Sequence, residues 1–134
     1  MRYSEEIPET DDYYGLFLTT GWNDGYHFTK EQLKTAIKNS WYIVSAHEGP
    51  DLTGFGRIIS DGIHHALIVD LIVHPKFQGR GIGGKIIQML IEKCKLHDIK
   101  DVQLFSAKNK TRFYEKYGFS VRDQEAPGMQ LKTN

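Results

Sequence analysis

The pattern of apolar and polar positions changes its period along this chain of 134 residues. In the first third, apolar side chains recur at helical spacing over 11–20 and 29–39, which predicts two helices after a short first strand. The glycines and Asn-Asp pair of 21–25 predict a turn between the helices. Thr29 followed by Gln32 is a capping-box pattern, so the second helix is expected to begin at this point.

The middle of the chain is rich in β-forming residues. Turn sequences divide it into three segments of strand length: 41–46, 52–60 and 65–73. The third segment, HALIVDLIV, is the most hydrophobic stretch of the chain, which predicts a central strand that is covered on both faces. If its side chains alternate strictly, Asp70 shares a face with Ile68 and Ile72.

The last third of the chain alternates between helix and strand patterns. Apolar spacing predicts a long helix over 81–97 and a short one over 108–117. Three short β patterns accompany them: 102–105, 119–121 and 129–131. The order predicts a single mixed α/β domain over 1–134, with a central mixed sheet of about six to seven strands flanked by about four helices.

Composition narrows the class of protein. The chain has 17 Lys and Arg against 17 Asp and Glu, which argues against a nucleic-acid binder, since such proteins normally carry a basic excess. No apolar run reaches the about 18 residues that cross a bilayer, and the first residues do not resemble a signal peptide. We therefore expect a cytoplasmic protein that binds neither nucleic acid nor membrane. Cys94 is the single cysteine, so no internal disulfide and no thiolate metal cluster are expected.

The segment between the central strand and the long helix is the strongest candidate for ligand binding. It contains Gly79, Gly81, Gly83 and Gly84 directly before or within the first turn of that helix. Unpaired N–H groups and the positive dipole end of a helix bind phosphate at such positions. The spacing G-x-G-x-x-G is typical of dinucleotide-binding folds, but here it lies past mid-chain and no acid ends the next strand. The spacing G-x-x-x-x-G-K is typical of P-loops, but Ile86 replaces the Ser or Thr that binds magnesium.

Residues outside this loop favour a third interpretation. The segment QGRGIG, 78–83, fits the pattern Q/R-x-x-G-x-G/A and follows a strand that ends in Val73-His-Pro. Downstream come Asn109 and the segment FYEKYGF, 113–119. At these spacings the chain resembles the GNAT superfamily of acyl-CoA-dependent N-acetyltransferases. The resemblance implies the GNAT-type acyl-CoA N-acyltransferase fold, with acetyl-CoA (coenzyme A) as cosubstrate.

The resemblance also implies where the cofactor binds. In this family the central strand and the strand after the long helix splay apart, and the pantetheine arm lies in the gap and hydrogen-bonds the strand backbone. Backbone N–H groups of the glycine loop hold the pyrophosphate, with basic side chains either adding charge or remaining solvated. The cofactor-binding residues so implied are Leu71, Ile72, Val73, Gln78, Gly79, Arg80, Gly81, Ile82, Gly83, Gly84, Lys85, Asn109 and Phe113.

Tyr114 and Asp70 are the candidate catalytic residues. Tyr114 matches the family tyrosine that protonates the departing thiolate, and its alternative role is that of an ordinary core tyrosine. A phenol with a pKa of about 10 is protonated at neutral pH and can serve as this acid. Asp70 is an acid within an apolar strand, so it is a candidate base, an acceptor contact or a paired structural acid. Cys94 is expected to be buried, and direct attack by the acceptor needs no covalent enzyme intermediate.

The loop between the first two helices is the candidate acceptor site. Trp22, Asp24 and Tyr26 combine aromatic rings with an acid, which suits a cationic amine, although the rings could equally anchor the loop to the core. No metal is expected, because His64 and His65 would point to opposite faces of a strand.

The expected function is transfer of an acetyl group from acetyl-CoA to a primary amine of a small molecule, by direct attack in a ternary complex. A non-catalytic acyl-CoA-binding sensor on the same fold is the alternative, and a binder of nucleotide phosphates is a third hypothesis. A homodimer is the default arrangement if the protein forms a homo-oligomer.

Overall fold

A five-stranded sheet organises the structure, a computed structural model that describes residues 1–133. The strands lie in chain order: β1 Arg2–Ser4, β2 Tyr42–Glu48, β3 Asp51–Ser60, β4 His65–Val73 and β5 Asp101–Leu104. The first four pair antiparallel, whereas β4 and β5 pair in parallel. A parallel pair requires a crossover connection, and a long helix between these two strands supplies it.

The described residues form five α-helices, α1 Thr10–Leu18, α2 Asn23–Tyr26, α3 Lys30–Lys38, α4 Ile82–Leu96 and α5 Thr111–Glu115, and a short 3-10 helix, Pro75–Phe77. The predicted capping box at the start of α3 is confirmed, with Thr29 and Gln32 each accepting the other's backbone N–H. The predicted turn at 21–25 is partly wrong, since α2 begins within it. The Asn23 side chain both accepts from the Phe28 N–H and donates to the Phe28 carbonyl, which closes this short helix. No helix of the described residues is long and apolar enough to cross a membrane.

The two closing strands predicted at 119–121 and 129–131 do not form, so the sheet is smaller than expected. These segments bury little apolar surface, because Val121, Met129 and Leu131 are largely exposed. Pro127 and Gly128 lie directly before the second segment, and neither favours a strand. The mixed α/β class is nevertheless confirmed.

The sheet separates two apolar cores. On one face, α4 packs through Ile86, Ile87 and Leu90 against the middle strands. On the other face, α1 and α3 pack against β3 and β4, with Tyr13 and Phe55 at the centre and their rings 4.6 Å apart. Cys94 belongs to the first core and is buried, as predicted.

A β-bulge interrupts β4 at Asp70. Phe55 pairs with Ile72 and Arg57 pairs with Val69, so one residue of β3 lies opposite two residues of β4. Asp70 itself has a left-handed backbone, with φ of 55°. Strict alternation was therefore the wrong expectation: Ile68 packs in the core under α4, whereas Ile72 packs in the core under α1 and α3.

Beyond the bulge, β4 and β5 part. Their parallel pairing begins at His65 and Asp101 and ends at Ile68 and Leu104. The half of β4 over 69–73 therefore continues with no β5 partner. This separation opens a gap on the side of the sheet where the chain enters the glycine loop.

Candidate functional site

Two cavities meet in the gap between β4 and β5. The first, which we call the loop groove, has a volume of about 430 Å³ and is lined among others by Val73, Gln78, Gly81, Gly83, Lys110 and Phe113. The second, which we call the aromatic cavity, has a volume of about 590 Å³ and is lined among others by Phe17, Trp22, Tyr26, Phe28, Asp70 and Phe105. Leu71, Ala107 and Tyr114 line both, so these three residues form the shared boundary of the two cavities.

The glycine loop turns the start of α4 toward the loop groove. Gly79 and Gly81 both have φ of 80°, a left-handed conformation that glycine adopts without steric cost. The first backbone hydrogen bond of α4 runs from the Lys85 N–H to the Gly81 carbonyl (3.1 Å). The N–H groups of Ile82, Gly83 and Gly84 therefore have no acceptor within the helix, and they remain available to an anion at its positive end.

The strand register decides which backbone groups face the gap. The His74 N–H donates to the Thr53 carbonyl (2.8 Å), so Val73 and Gly54 form a pair whose own N–H and C=O groups point away from each other. By alternation, the backbone of Ile72 points to β3, which removes it from the candidate cofactor contacts. The backbones of Leu71 and Val73 point into the gap, where the Gln78 side-chain amide donates to the Val73 carbonyl (3.2 Å).

The basic side chains lie at different distances from the loop groove. Lys110 lines it, although sequence reasoning missed this residue. The sequence feature that could have indicated Lys110 is its position directly before α5, the helix in which the segment FYEKYGF begins. Arg80 lines neither cavity; its guanidinium lies over the Phe77 ring (5.0 Å) and reaches Glu48 (3.6 Å). Lys85 is exposed on α4 and also lines neither cavity.

The short helix α5 presents Tyr114 at the junction of the cavities. Its ring packs edge-on against Phe113 (5.0 Å) and Phe119 (6.2 Å), which fixes its orientation. Burial raises the pKa of the Tyr114 hydroxyl above its ordinary value, so this group remains a proton donor at neutral pH. Asn109 lines neither cavity; it holds a left-handed turn before α5, with φ of 63°.

Asp70 is an ion-paired acid in the wall of the aromatic cavity. The Arg57 Nε donates to its Oδ2 (2.8 Å), and the two side chains are 13% and 24% exposed. The Arg57 Nη1 also donates to the Ala36 carbonyl and to the Ser40 hydroxyl (both 3.2 Å), which ties the end of α3 to the bulge. Sequence reasoning missed Arg57, whose signal was its being the one charge in the strand pattern LTGFGRIIS.

Two of the three predicted acceptor residues line the aromatic cavity, and the third lies on the protein surface. Trp22 and Tyr26 line the aromatic cavity, and they are also packed on neighbours: Trp22 edge-on to Phe17 (5.7 Å) and Tyr26 stacked on Phe28 (5.2 Å). Asp24 is exposed and does not line the cavity. Among the described residues, the carboxylate in the cavity wall is thus that of Asp70 rather than Asp24.

Two predictions about nucleophiles and metals have different outcomes. Cys94 lines neither cavity, and burial raises the pKa of its thiol, which keeps it unreactive.

The expectation that His64 and His65 point apart is wrong: their rings stack 3.7 Å apart, and the His65 Nδ1 lies 3.1 Å from Asp101. The reason is that His64 precedes β4, in a turn closed by the Asp61 carboxylate. This cluster lies at the far end of β4 from the loop groove, and the absence of a bound metal stays a prediction.

A sheet that parts beyond a bulge, with a glycine-rich helix start on one side and a tyrosine-bearing helix on the other, is the arrangement of the GNAT fold. Residues 17–129 match the acetyltransferase (GNAT) domain, and the chain belongs to this family.

Proteins of similar sequence that are named as acetyltransferases support the assignment to this family. The chain is 36% identical over 103 residues to the uncharacterized N-acetyltransferase ycf52 of Pyropia yezoensis, covering 74% of this chain and 59% of that protein. It is 33% identical over 109 residues to the histone acetyltransferase TAP1 of Glycine max, covering 73% of this chain and 47% of that protein. The chain thus spans only about half to three fifths of the length of these relatives.

Solved structures show the same fold over nearly the whole chain. A probable acetyltransferase, SA2161 of meticillin-resistant Staphylococcus aureus, superposes with a TM-score of 0.85 at 25% identity, covering 98% of both chains. Glucosamine-6-phosphate N-acetyltransferase of Arabidopsis thaliana superposes with a TM-score of 0.75 at 19% identity, covering 100% of both chains. The second likeness concerns the fold alone.

Proposed function

We propose that this protein transfers an acetyl group from acetyl-CoA to a primary amine of a small molecule, by direct attack in a ternary complex. The observation that carries the proposal is the meeting of the two cavities at Leu71, Ala107 and Tyr114. A thioester that enters from the loop groove and an amine in the aromatic cavity would meet at this junction. No covalent enzyme intermediate is then required, in keeping with the buried position of Cys94.

The loop groove has the donors that coenzyme A needs. Pyrophosphate would accept hydrogen bonds from the free N–H groups at the start of α4, and Lys110 would add positive charge. The pantetheine amides would pair with the backbone of Leu71 and Val73 along the open edge of β4. Displacement of the Gln78 amide would free the Val73 carbonyl for this pairing.

The chemistry needs one acid and a route for one proton. The amine nitrogen attacks the thioester carbonyl carbon, and the tetrahedral species collapses with cleavage of the C–S bond. The sulfur takes the proton of the Tyr114 hydroxyl and leaves as a thiol, while the new amide nitrogen loses its extra proton. That proton leaves through solvent or through Asp70, and Tyr114 is reprotonated before the next cycle.

The direct test combines binding with turnover. Calorimetry should show binding of acetyl-CoA in preference to ATP and NAD, and release of free thiol should require an added amine. Tight acetyl-CoA binding without thiol release for any amine would favour the acyl-CoA sensor instead. Preference for ATP or NAD would contradict the proposal.

Substitution of Gly81 by alanine tests the cofactor site. A side chain at φ of 80° is strained, so the free energy of unfolding should fall by about 1 kcal/mol. Distortion of the helix start should also raise the Kd for acetyl-CoA about tenfold. The control is Gly21→Ala, at φ of 78° and outside the loop groove, which should lose similar stability and leave this Kd unchanged. Equal Kd values for both variants would remove the loop from the cofactor site.

Location and assembly stay predictions. We propose a cytoplasmic protein that forms a homodimer and binds neither nucleic acid nor membrane. One relative, from Arabidopsis thaliana and 29% identical, is named a chloroplastic N-acetyltransferase, so relatives occur in other compartments.

A further inference from the structure

The walls of the aromatic cavity consist of rings and aliphatic side chains. Rings enter from four regions of the chain, namely α1, the segment around α2, the end of β5, and α5: Tyr13, Phe17, Trp22, Tyr26, Phe28, Phe105 and Tyr114. Leu33 and Ile37 of α3 complete the wall. Phe105 is 71% exposed, and Trp22 and Tyr26 are also exposed. An apolar ligand would therefore bury surface that the folded chain leaves open.

The charges in this wall already neutralise each other. Arg57 and Asp70 are the two charged side chains that line the cavity, and they form the 2.8 Å ion pair described above. Arg57 is further held by the Ala36 carbonyl and the Ser40 hydroxyl. The pair therefore brings no net charge to the wall, and Arg57 is held in place by three acceptors.

This arrangement excludes several classes of acceptor. A carboxylate or a phosphate on the acceptor would find no free cation among the described residues of the wall, and burial of an unpaired anion is costly. A polyamine or an aminoglycoside would bring several cations to a wall with a single, already paired carboxylate. A primary amine on an apolar body avoids both costs, since its ammonium group alone needs polar surroundings.

We infer that the acceptor is an arylalkylamine, that is, a primary amine joined by a short alkyl chain to an uncharged aromatic ring. The inference rests on the proposed function and adds the substrate class. The aromatic ring packs among the rings of the cavity, where edge-to-face contacts add to the apolar burial. The amine lies toward Leu71 and Tyr114, next to the Asp70 carboxylate and within the field of the ring faces.

The test compares amines that differ by one charged group. Phenethylamine and phenylalanine share the ring and the amine, and phenylalanine adds a carboxylate. We expect kcat/KM for phenethylamine, measured by thiol release from acetyl-CoA, to exceed that for phenylalanine by about 100-fold or more. Spermidine, kanamycin and glucosamine 6-phosphate should be poorer acceptors than phenethylamine. A higher kcat/KM for any of these three would overturn the inference and leave the proposed function intact.

Calorimetry separates failure of the inference from failure of the proposed function. Phenethylamine is titrated into the protein saturated with coenzyme A, with phenylalanine and spermidine as comparisons. If no amine releases thiol but phenethylamine alone binds, the substrate class stands and the catalytic proposal falls. If no amine binds or reacts, both fall.

Substitution of a residue in the cavity wall tests whether the aromatic cavity causes the preference for phenethylamine. Trp22→Ala should raise KM for phenethylamine about tenfold, with KM for acetyl-CoA unchanged, and Trp22→Phe should recover most of the loss. The matched control is Ile63→Ala, an exposed apolar residue that lines neither cavity and should change neither KM. An unchanged KM in Trp22→Ala would contradict binding of the ring in this cavity.

Discussion

Replacement of Tyr114 by phenylalanine is expected to lower kcat by about 100-fold or more, since general acid catalysis typically contributes 10² to 10⁴. The Kd for acetyl-CoA should change less than about twofold, because the ring and its packing on Phe113 and Phe119 are retained. Thiol release gives kcat, and calorimetry gives the Kd. The removed group is a single hydroxyl at the junction of the two cavities.

The control for this prediction is Tyr14→Phe. Tyr14 is a partly buried tyrosine of α1 that lines neither cavity, so loss of its hydroxyl should leave kcat unchanged. An unchanged kcat in Tyr114→Phe, with the protein folded, would remove Tyr114 from the mechanism.

The pH dependence offers an independent check on Tyr114. If Tyr114 is the general acid, as proposed, its protonated form is the active one, and burial raises its pKa above the ordinary value. Activity should therefore rise with pH as the acceptor amine loses its proton, and loss through ionisation of Tyr114 should begin only above a pH of about 10. A basic limb near neutral pH that disappears in Tyr114→Phe would contradict this assignment of the acid.

Replacement of Arg57 by methionine is expected to lower the free energy of unfolding by about 2 to 3 kcal/mol. Methionine keeps much of the apolar stem but leaves the Asp70 carboxylate without its partner, and it removes the links to Ala36 and Ser40. The expected loss is below the about 3 to 5 kcal/mol of a fully buried pair, because both side chains retain some exposure. Denaturant unfolding measures it.

A double-mutant cycle with Asp70→Asn isolates the ion pair. Asparagine tolerates the left-handed backbone at this position, so the substitution removes the charge without adding strain. We expect the double variant to lose less stability than the two single variants together, by at least about 1 kcal/mol. Additive losses would mean that the 2.8 Å contact contributes no coupling.

Local patterns predicted the elements that depend on neighbouring residues. The capping box of α3, the long helix after the glycine loop and the three middle strands each follow from spacing within about a dozen residues. The turn in the glycine loop is also a local feature. The left-handed backbone at Gly79 and Gly81 depends only on the absence of a Cβ at these positions, so the sequence could indicate it.

Features that depend on residues far apart in the sequence could not be predicted from local patterns. The bulge at Asp70 depends on pairing with β3, and no pattern within HALIVDLIV distinguishes it from a strictly alternating strand. The same bulge gave Asp70 its partner Arg57, which lies in another strand. The two predicted closing strands do not form, because β propensity alone cannot supply the burial that a strand needs at the edge of a sheet.

The two cavities draw their walls from different parts of the chain. Apart from the three shared residues, the segment over 13–37 supplies most of the aromatic cavity, whereas the glycine loop, α4 and α5 supply most of the loop groove. Strand β4 lies between these parts both in sequence and in space. If the aromatic cavity binds the acceptor and the loop groove binds the donor, as proposed, substitutions within 13–37 would change the choice of amine and leave donor binding unchanged.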